Sequence, residues 1–169
     1  SVSFVKVKTA LGSVKAKKVI LATGAFPSLI KKVNRMIAPV YDYVLVTEPL
    51  SAEQKEAIGW DEPFGCSDAF NQFHYFRMTK DGRILWGGYD AVYHYGNEVS
   101  KELEQSDESF AMLAEHLYRT FPILRGIGFS HKWGGAIDTC SRFAPFWGTA
   151  FRGRDRKSTR LNSSHSQQS

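Results

Sequence analysis

The sequence lacks any run that approaches the roughly 18 consecutive apolar residues needed for a transmembrane helix. It has 169 residues and only two cysteines, Cys66 and Cys140. Their wide separation fits neither a disulfide framework nor a thiolate metal motif, so we expect two free thiols in a reducing compartment. Together these absences favour a cytoplasmic protein without a membrane span.

Recognisable phosphate, metal and nucleophile motifs are also missing. No G-x-G-x-x-G loop is present to cradle a phosphate. No Ser-His-Asp grouping can be recognised, so catalytic residues stay unassigned. We expect no bound metal, because metal-site spacing is absent from the histidines His74, His94, His116 and His131.

The two ends of the chain are unusual. It begins at Ser1, within an alternating pattern and without an initiator methionine, basic leader or apolar signal core. Residues 155–165 match, codon for codon, the translation of a common sequencing-library adapter. Residues 155–169 hold a single strongly apolar side chain, Leu161. Because such a segment buries too little surface to offset its ordering entropy, we predict a disordered, artefactual tail on an internal piece of a longer protein.

The net charge of +5 invites a nucleic-acid-binding interpretation, but the tail supplies part of it. Without residues 155–169 the chain keeps 19 basic and 16 acidic residues, a net charge of +3. Nucleic-acid-binding domains carry a stronger basic bias than this. We therefore expect no nucleic-acid partner.

The first part of the chain has a clear order of secondary-structure patterns. Residues 2–8 alternate and predict a half-buried strand, with residues 14–16 opening its hairpin partner. The continuous apolar run of residues 19–22 is typical of a strand with both sheet faces covered, as in α/β domains. A short helix within residues 27–34 and a long strand within residues 39–50 follow.

The second part predicts an antiparallel sheet with one helix. A polar loop is expected over residues 51–71, followed by a hairpin within residues 73–87 around a Lys-Asp-Gly turn. Residues 106–120 have an apolar stripe at helical spacing, with Ser106 as N-cap. Residues 127–133 predict one more strand. This order indicates an α+β fold, an antiparallel sheet plus helix attached to part of an α/β domain.

Three segments have the composition of ligand-contacting surfaces. Residues 19–25 form a strand ending in small residues, which lets the backbone approach a ligand; an ordinary strand and glycine turn is the alternative. Residues 133–148 begin with Trp-Gly-Gly, which is either a platform for a planar ring or a loop around a packed tryptophan. Aromatic residues within 73–95 either cage an ammonium by cation–π attraction or form cross-strand pairs without a ligand.

In this order and spacing the motifs resemble the D-amino acid oxidase superfamily of flavoproteins. That group includes glycine and sarcosine oxidases, D-amino acid dehydrogenases and gamma-glutamylputrescine oxidase. The similar residues are Ala-Lys-Lys-Val-Ile-Leu-Ala-Thr-Gly-Ala at 16–25, Pro-Val-Tyr-Asp-Tyr-Val-Leu-Val-Thr-Glu-Pro-Leu at 39–50, and Trp133-Gly134-Gly135. The resemblance implies part of a Rossmann-like FAD-binding domain in residues 1–38, a substrate-binding domain in residues 39–132, and a return to the FAD-binding domain in residues 133–154.

The resemblance also implies a chemistry and a set of site residues. FAD is the expected cofactor, and the expected substrate is a small amine or amino acid whose C–N bond is oxidised by hydride transfer to the flavin. The residues expected near FAD are Ala22, Thr23, Gly24, Ala25, Trp133, Gly134 and Gly135. Those expected near the substrate are Tyr43, Tyr75, Arg77, Tyr89 and Arg142.

The chain departs from the family in ways that keep alternatives open. Residues 137–142 replace the Arg-Pro and Thr-Pro-Asp pattern usual after the Trp-Gly pair, which puts carboxylate recognition in doubt and favours a non-amino-acid amine. The phosphate-binding N-terminal segment is missing, so we expect the chain alone to be inactive. The competing hypothesis is a non-catalytic binding module whose aromatic sheet takes a peptide, an amine or single-stranded nucleic acid.

Overall fold

A computed structural model describes residues 4–60, 62–150 and 155–159. The chain divides into two compact units, one of Ser1–Pro39 with Ile137–Ser169 and one of Val40–Ala136. These divisions lie close to the domain limits predicted after residues 38 and 132. The assignment of the two units to FAD binding and substrate binding stays a prediction.

The described residues form mainly β-strands, with three α-helices between them. In chain order they are β1 (Val5–Thr9), β2 (Gly12–Ala16), β3 (Val19–Leu21), α1 (Lys31–Asn34), β4 (Ala38–Thr47), α2 (Ala52–Ile58), β5 (Gly65–Ser67), β6 (His74–Met78), β7 (Ile84–Gly88), α3 (Asp107–Thr120), β8 (Phe129–Thr139), β9 (Phe146–Ala150) and β10 (Asp155–Thr159). Three 3₁₀ turns lie at Tyr95–Asn97, Glu102–Glu104 and Pro122–Leu124. The predicted α+β class is confirmed. Among the described residues, no helix is long and apolar enough to cross a membrane.

The unit Val40–Ala136 is built on a five-stranded sheet in the order β5-β6-β7-β4-β8. Strands β6 and β7 pair antiparallel, with Met78 opposite Ile84, around a turn in which Gly82 N donates to Thr79 O at 3.0 Å. The predicted hairpin is therefore confirmed. Alternate residues of β4 point into the hydrophobic core, where Tyr41, Tyr43 and Leu45 are fully buried.

Helix α3 covers one face of this sheet. Its N-cap is Ser106, whose side chain accepts a hydrogen bond from Ser109 N, as the sequence predicts. Phe110, Leu113 and Leu117 form the buried stripe and join the core cluster of the sheet. Because the buried apolar side chains of α3 lie along one side of the helix, the sheet face that they contact is the core face.

The predicted polar loop over residues 51–71 is wrong, because α2 and β5 lie within it. Ser51 and Gln54 form a capping box: Ser51 Oγ accepts from Gln54 N at 3.1 Å, and Gln54 Oε1 accepts from Ser51 N at 2.9 Å. Gly59 ends the helix in the left-handed conformation, at φ 66°. These two caps define the helix, since α2 has no buried residue to give it an apolar stripe.

Replacing Ser51 with alanine should lower the free energy of unfolding by about 1 kcal/mol, because the backbone N–H of Gln54 loses its acceptor, Ser51 Oγ. Ser51→Asp keeps an N-cap acceptor and should stay within a few tenths of a kcal/mol of the parent. The midpoint of urea unfolding measures both variants. Equal midpoints for the two would contradict the capping role.

The other unit contains two small sheets. Strands β1 and β2 form the predicted hairpin, with Val7 opposite Val14. The predicted strand at residues 19–22 is present as β3, but its expected burial on both faces is wrong, since 66% of Ile20 is exposed. The expected helix within residues 27–34 is reduced to the single turn of α1.

Strand β3 belongs to a three-stranded sheet that corrects one expectation about the tail. The sheet order is β3-β10-β9, with β10 parallel to β3 and antiparallel to β9. Asp155–Thr159 therefore forms a strand where disorder was predicted. Main-chain hydrogen bonds to both neighbours make this possible, because a ladder does not require apolar side chains. Residues 160–169 of the predicted tail lie outside the described residues.

Candidate functional site

The sheet face opposite α3 carries a hydrogen-bonded pair that crosses a strand. Tyr75 on β6 donates its hydroxyl hydrogen to Asp42 Oδ2 on β4, at 2.7 Å. Strand β7 lies between these two strands, and Gly87 is the residue that pairs with Tyr75. A Cβ atom at Gly87 would lie 2.8 Å from Tyr75 Cζ and from its hydroxyl oxygen. Glycine at 87 therefore lets the phenol ring pass over β7 and reach Asp42.

The environment keeps the Tyr75 hydroxyl protonated. Burial raises the pKa of Tyr75 well above its usual value, and the negative charge and hydrogen bond of Asp42 raise it further. A neutral phenol is a donor, so it holds the Asp42 carboxylate in one orientation. The pair thus places an oriented carboxyl group on this sheet face.

The Trp133-Gly134-Gly135 segment lies in β8, beside β4. A Cβ atom at Gly134 would lie 2.5 Å from two ring carbons of Tyr43, so Gly134 faces the core and is required by packing. Side chains alternate along a strand, which places Trp133 and Gly135 on the opposite face, the one that carries Asp42. Trp133 is 40% exposed.

Gly135 differs from Gly134 in what surrounds the position of a Cβ atom. Its φ lies outside the left-handed region, and no described atom lies within 4 Å of the position that a Cβ atom would take. Neither backbone strain nor packing among the described residues explains a glycine at this position. The bare backbone leaves room for a flat group to approach the strand closely.

The predicted residues after β3 belong to the other unit. Phe26 N donates to Thr23 O at 3.1 Å, which closes a turn in which Gly24 has φ 58°. Ala25 is buried, whereas Ala22 is exposed. The turn places a glycine with a left-handed backbone shortly after β3, and the expected contacts of residues 22–25 with FAD stay a prediction.

The predicted substrate residues do not converge on one point. Tyr75 and Arg77 alternate with core residues of β6 and share the face opposite α3, where Arg77 is exposed. Tyr43 is only 1% exposed, and its hydroxyl donates to Leu103 O at 2.8 Å, so it packs in the core. Arg142 is exposed and belongs to the other unit. Their roles in substrate binding stay predictions.

Tyr89 lies in a second cluster, next to His74 and His116. Its ring centroid is 5.2 Å from that of His74 and 4.5 Å from that of His116. His74 in turn bonds Asp68, with 3.1 Å between Nδ1 and Oδ2. Burial works to raise the pKa of Asp68, but hydrogen bonds from His74 and the Phe70 amide outweigh it and leave the pKa below its usual value. This aspartate is therefore ionised at neutral pH.

Sequence reasoning missed Asp42 and the Asp68–His74–His116 cluster. A signal for Asp42 existed, since it is the only charged side chain in the apolar strand β4. No comparable signal existed for the cluster, because His74 and His116 are 42 positions apart and meet only in the folded unit.

Comparison with known proteins places these features in a family. Residues 2–166 match the family described as "FAD dependent oxidoreductase" (DAO). The chain belongs to this FAD-dependent oxidoreductase family. The resemblance predicted from the three motifs is thereby confirmed, and FAD is the cofactor of the family.

Two curated members of this oxidoreductase family are similar in sequence. The chain is 32% identical to gamma-glutamylputrescine oxidoreductase of Escherichia coli over 145 residues, which is 83% of the chain and 31% of that protein. It is 28% identical to the probable oxidoreductase OrdL of Haemophilus influenzae over 149 residues, 85% of the chain and 31% of that protein. The chain thus spans about a third of the length of these relatives.

Solved structures of flavin oxidoreductases share the fold. Glycine oxidase from Geobacillus kaustophilus aligns with a TM-score of 0.66 at 15% identity, covering 91% of the chain and 38% of that protein. L-proline dehydrogenase from P. horikoshii aligns with a TM-score of 0.64 at 16% identity, covering 91% and 40%. At these identities the likeness concerns the fold alone.

The residues of the Val40–Ala136 unit fit a flavin. Gly135 offers an uncovered backbone, and the neighbouring Trp133 offers a partly exposed aromatic surface on the same face of β8. A planar ring can approach such a strand where a side chain at position 135 would obstruct it. Packing against Tyr43 by itself accounts for the glycine at position 134, and the expected contact of Gly134 with FAD stays a prediction.

Proposed function

We propose that the chain is part of a longer flavoprotein that oxidises the C–N bond of a small amine or amino acid. Bound FAD supplies the acceptor for the two electrons that leave the carbon next to the nitrogen. The observation that carries the proposal is one sheet face of this family member, on which Asp42, Tyr75 and the uncovered Gly135 occur together. The name of the E. coli relative supports an amine as the substrate class.

In this proposal Asp42 binds a cationic group of the substrate. Its carboxylate is already oriented by the Tyr75 hydroxyl at 2.7 Å, so little ordering is needed on binding. Arg77, on the same face of β6, is the group that a substrate carboxylate would meet. An amine with a second charged group would satisfy both side chains.

The first experiment uses the longer protein that contains this chain. It should purify with flavin absorbance, and anaerobic addition of a small amine should bleach the oxidised flavin band. A correctly folded protein without flavin would overturn the proposal and favour the non-catalytic binding module. If the protein contains flavin but no amine or amino acid reduces it, the cofactor assignment stands and the proposed substrate class is overturned.

Asp42→Asn should raise the KM for the amine and lower kcat/KM by about 10- to 100-fold, which corresponds to the worth of one hydrogen bond to a charged group. The asparagine oxygen can still accept from the Tyr75 hydroxyl, so the fold should be retained. Steady-state kinetics with the flavin content measured for each sample checks this result.

Asp107→Asn is the matched control for Asp42→Asn. It removes the same charge from the exposed start of α3, where Asp107 Oδ1 pairs with Lys132 Nζ at 3.1 Å. Exposed pairs contribute little, so its kinetics should match the parent. Equal losses in both variants would mean that Asp42 acts only through the net charge.

A further inference from the structure

The Asp68–His74–His116 cluster lies apart from the sheet face assigned to the amine. His74, Phe76 and Met78 alternate with Tyr75 and Arg77 along β6 and therefore belong to the core face, which α3 covers. His116 is on α3 and reaches back to His74, with 3.0 Å between His74 Nε2 and His116 Nδ1. The two imidazoles join the sheet to the helix through their ring nitrogens.

Asp68 fixes which nitrogen of His74 is available. An ionised carboxylate can only accept, so His74 Nδ1 carries the hydrogen that is donated to Asp68 Oδ2. Asp68 is itself held by the backbone N–H groups of Phe70 and His74, at 3.2 and 3.0 Å. With Nδ1 donating to Asp68, Nε2 is the ring nitrogen of His74 that faces His116 Nδ1.

The ring of His74 is also held in place by its neighbours. It stacks between Trp86, with a centroid separation of 4.6 Å, and Tyr89, with a separation of 5.2 Å. Its side chain is nearly fully buried. Such a ring cannot change orientation without disturbing the core, so its nitrogen is preorganised.

His116 is neutral in this setting. Burial lowers its pKa, and the neighbouring His74 and Arg119 lower it further. A neutral imidazole keeps a lone pair and is the form of histidine that binds metals. Both rings line an open cavity of about 570 Å³, so water and ions can reach them.

We propose that His74 and His116 bind a divalent transition-metal ion, Cu²⁺ or Ni²⁺, through His74 Nε2 and His116 Nδ1. Two ligands about 2.1 Å from a metal and at a right angle lie about 3.0 Å apart, which is the separation of these nitrogens. Right-angled nitrogen coordination is typical of Cu²⁺ and Ni²⁺, whereas tetrahedral Zn²⁺ spreads its ligands more widely. The ion takes the place of the hydrogen between the two rings. That hydrogen moves, through water in the cavity, from His116 Nδ1 to His116 Nε2, so His116 keeps one ring hydrogen and its Nδ1 gains the lone pair that binds the ion.

Asp68 has the role of a supporting residue in this site. A carboxylate that accepts the second N–H of a ligating histidine orients the ring and makes it a stronger ligand. Among the described residues no three metal-ligating side chains have their ligand atoms placed to hold one ion together. The protein therefore supplies two ligands, and water in the cavity supplies the others.

The test is a titration of the full chain with CuCl₂ in the presence of a weak competing chelator such as glycine. We expect one equivalent of Cu²⁺ to bind and its electron paramagnetic resonance spectrum to show coupling to two imidazole nitrogens. His116→Gln should weaken binding at least tenfold and leave coupling to one. Asp68→Asn should weaken binding about 10- to 100-fold while coupling to both nitrogens is retained.

Control variants separate this site from other copper ligands. His131→Gln removes an exposed imidazole on β8, and His165→Gln removes the one in the tail; neither should change the affinity. Circular dichroism verifies the fold of each variant, and Asp68→Asn provides the test if His116→Gln fails to fold. Absence of a two-nitrogen signal in the parent, or equal affinity in the parent and the folded cluster variants, would overturn the proposal.

Discussion

Replacing Trp86 with alanine should lower the free energy of unfolding by about 3–5 kcal/mol, the largest single effect that we expect in the chain. Trp86 is 1% exposed and lies between the aromatic rings of both layers of the core. Its ring centroid is 4.9 Å from that of Phe76 on the neighbouring strand and 6.2 Å from that of Phe121 after α3. Removal leaves a cavity that backbone shifts cannot close without moving the helix from the sheet. Urea unfolding followed by circular dichroism measures the loss.

Trp86→Phe is the matched control. It keeps an aromatic ring in the cluster and removes an indole N–H that has no hydrogen-bond partner among the described residues. Removing an unpaired buried donor offsets part of the lost packing, so the cost should be clearly smaller than that of alanine. Equal losses in the two variants would mean that the core does not depend on ring packing at this position.

The second large effect concerns the two adjacent glycines of β8. Gly134→Ala should destabilise the Val40–Ala136 unit by about 1–3 kcal/mol, since the added methyl overlaps the buried ring of Tyr43. The methyl also lies 3.1 Å from Glu104 O, so it has little room to move away from the Tyr43 ring. Gly135→Ala meets no described atom and should leave stability within about 0.5 kcal/mol.

The variant that leaves stability unchanged, Gly135→Ala, should be the one that affects the flavin. In the longer flavoprotein, Gly135→Ala should impair flavin content or the rate of flavin reduction in a protein of parental stability. Thermal unfolding and flavin absorbance of the same samples give both readouts. A Gly135→Ala protein with parental flavin content and reduction rate would remove Gly135 from the proposed cofactor surface.

Local signals explain what could be predicted from the sequence. Helix α3 has an N-cap serine, an acidic first turn and an apolar stripe, and all three signals lie between Ser106 and Thr120. The β6–β7 hairpin has a glycine turn between two apolar segments. The family motifs were also recognisable, because each is a contiguous stretch of sequence.

The remaining features depend on contacts between distant segments. Helix α2 was missed because it has caps but no buried face, so periodicity could not reveal it. Burial of β3 was overestimated because its apolar run predicts covered faces, whereas Ile20 is exposed in the described structure. The different reasons for Gly134 and Gly135 could not be separated without the position of Tyr43.

The division of the chain has a consequence for its evolution and its use in engineering. The Val40–Ala136 unit is one continuous stretch, and its two ends lie on β4 and β8, which are adjacent strands of a single sheet. Adjacent strands are about 5 Å apart, so a segment that enters on one and leaves on the other can be inserted into a host chain with little disturbance. This arrangement is that of a cassette: under the proposed function, exchanging one uninterrupted stretch of gene between relatives should transfer substrate preference.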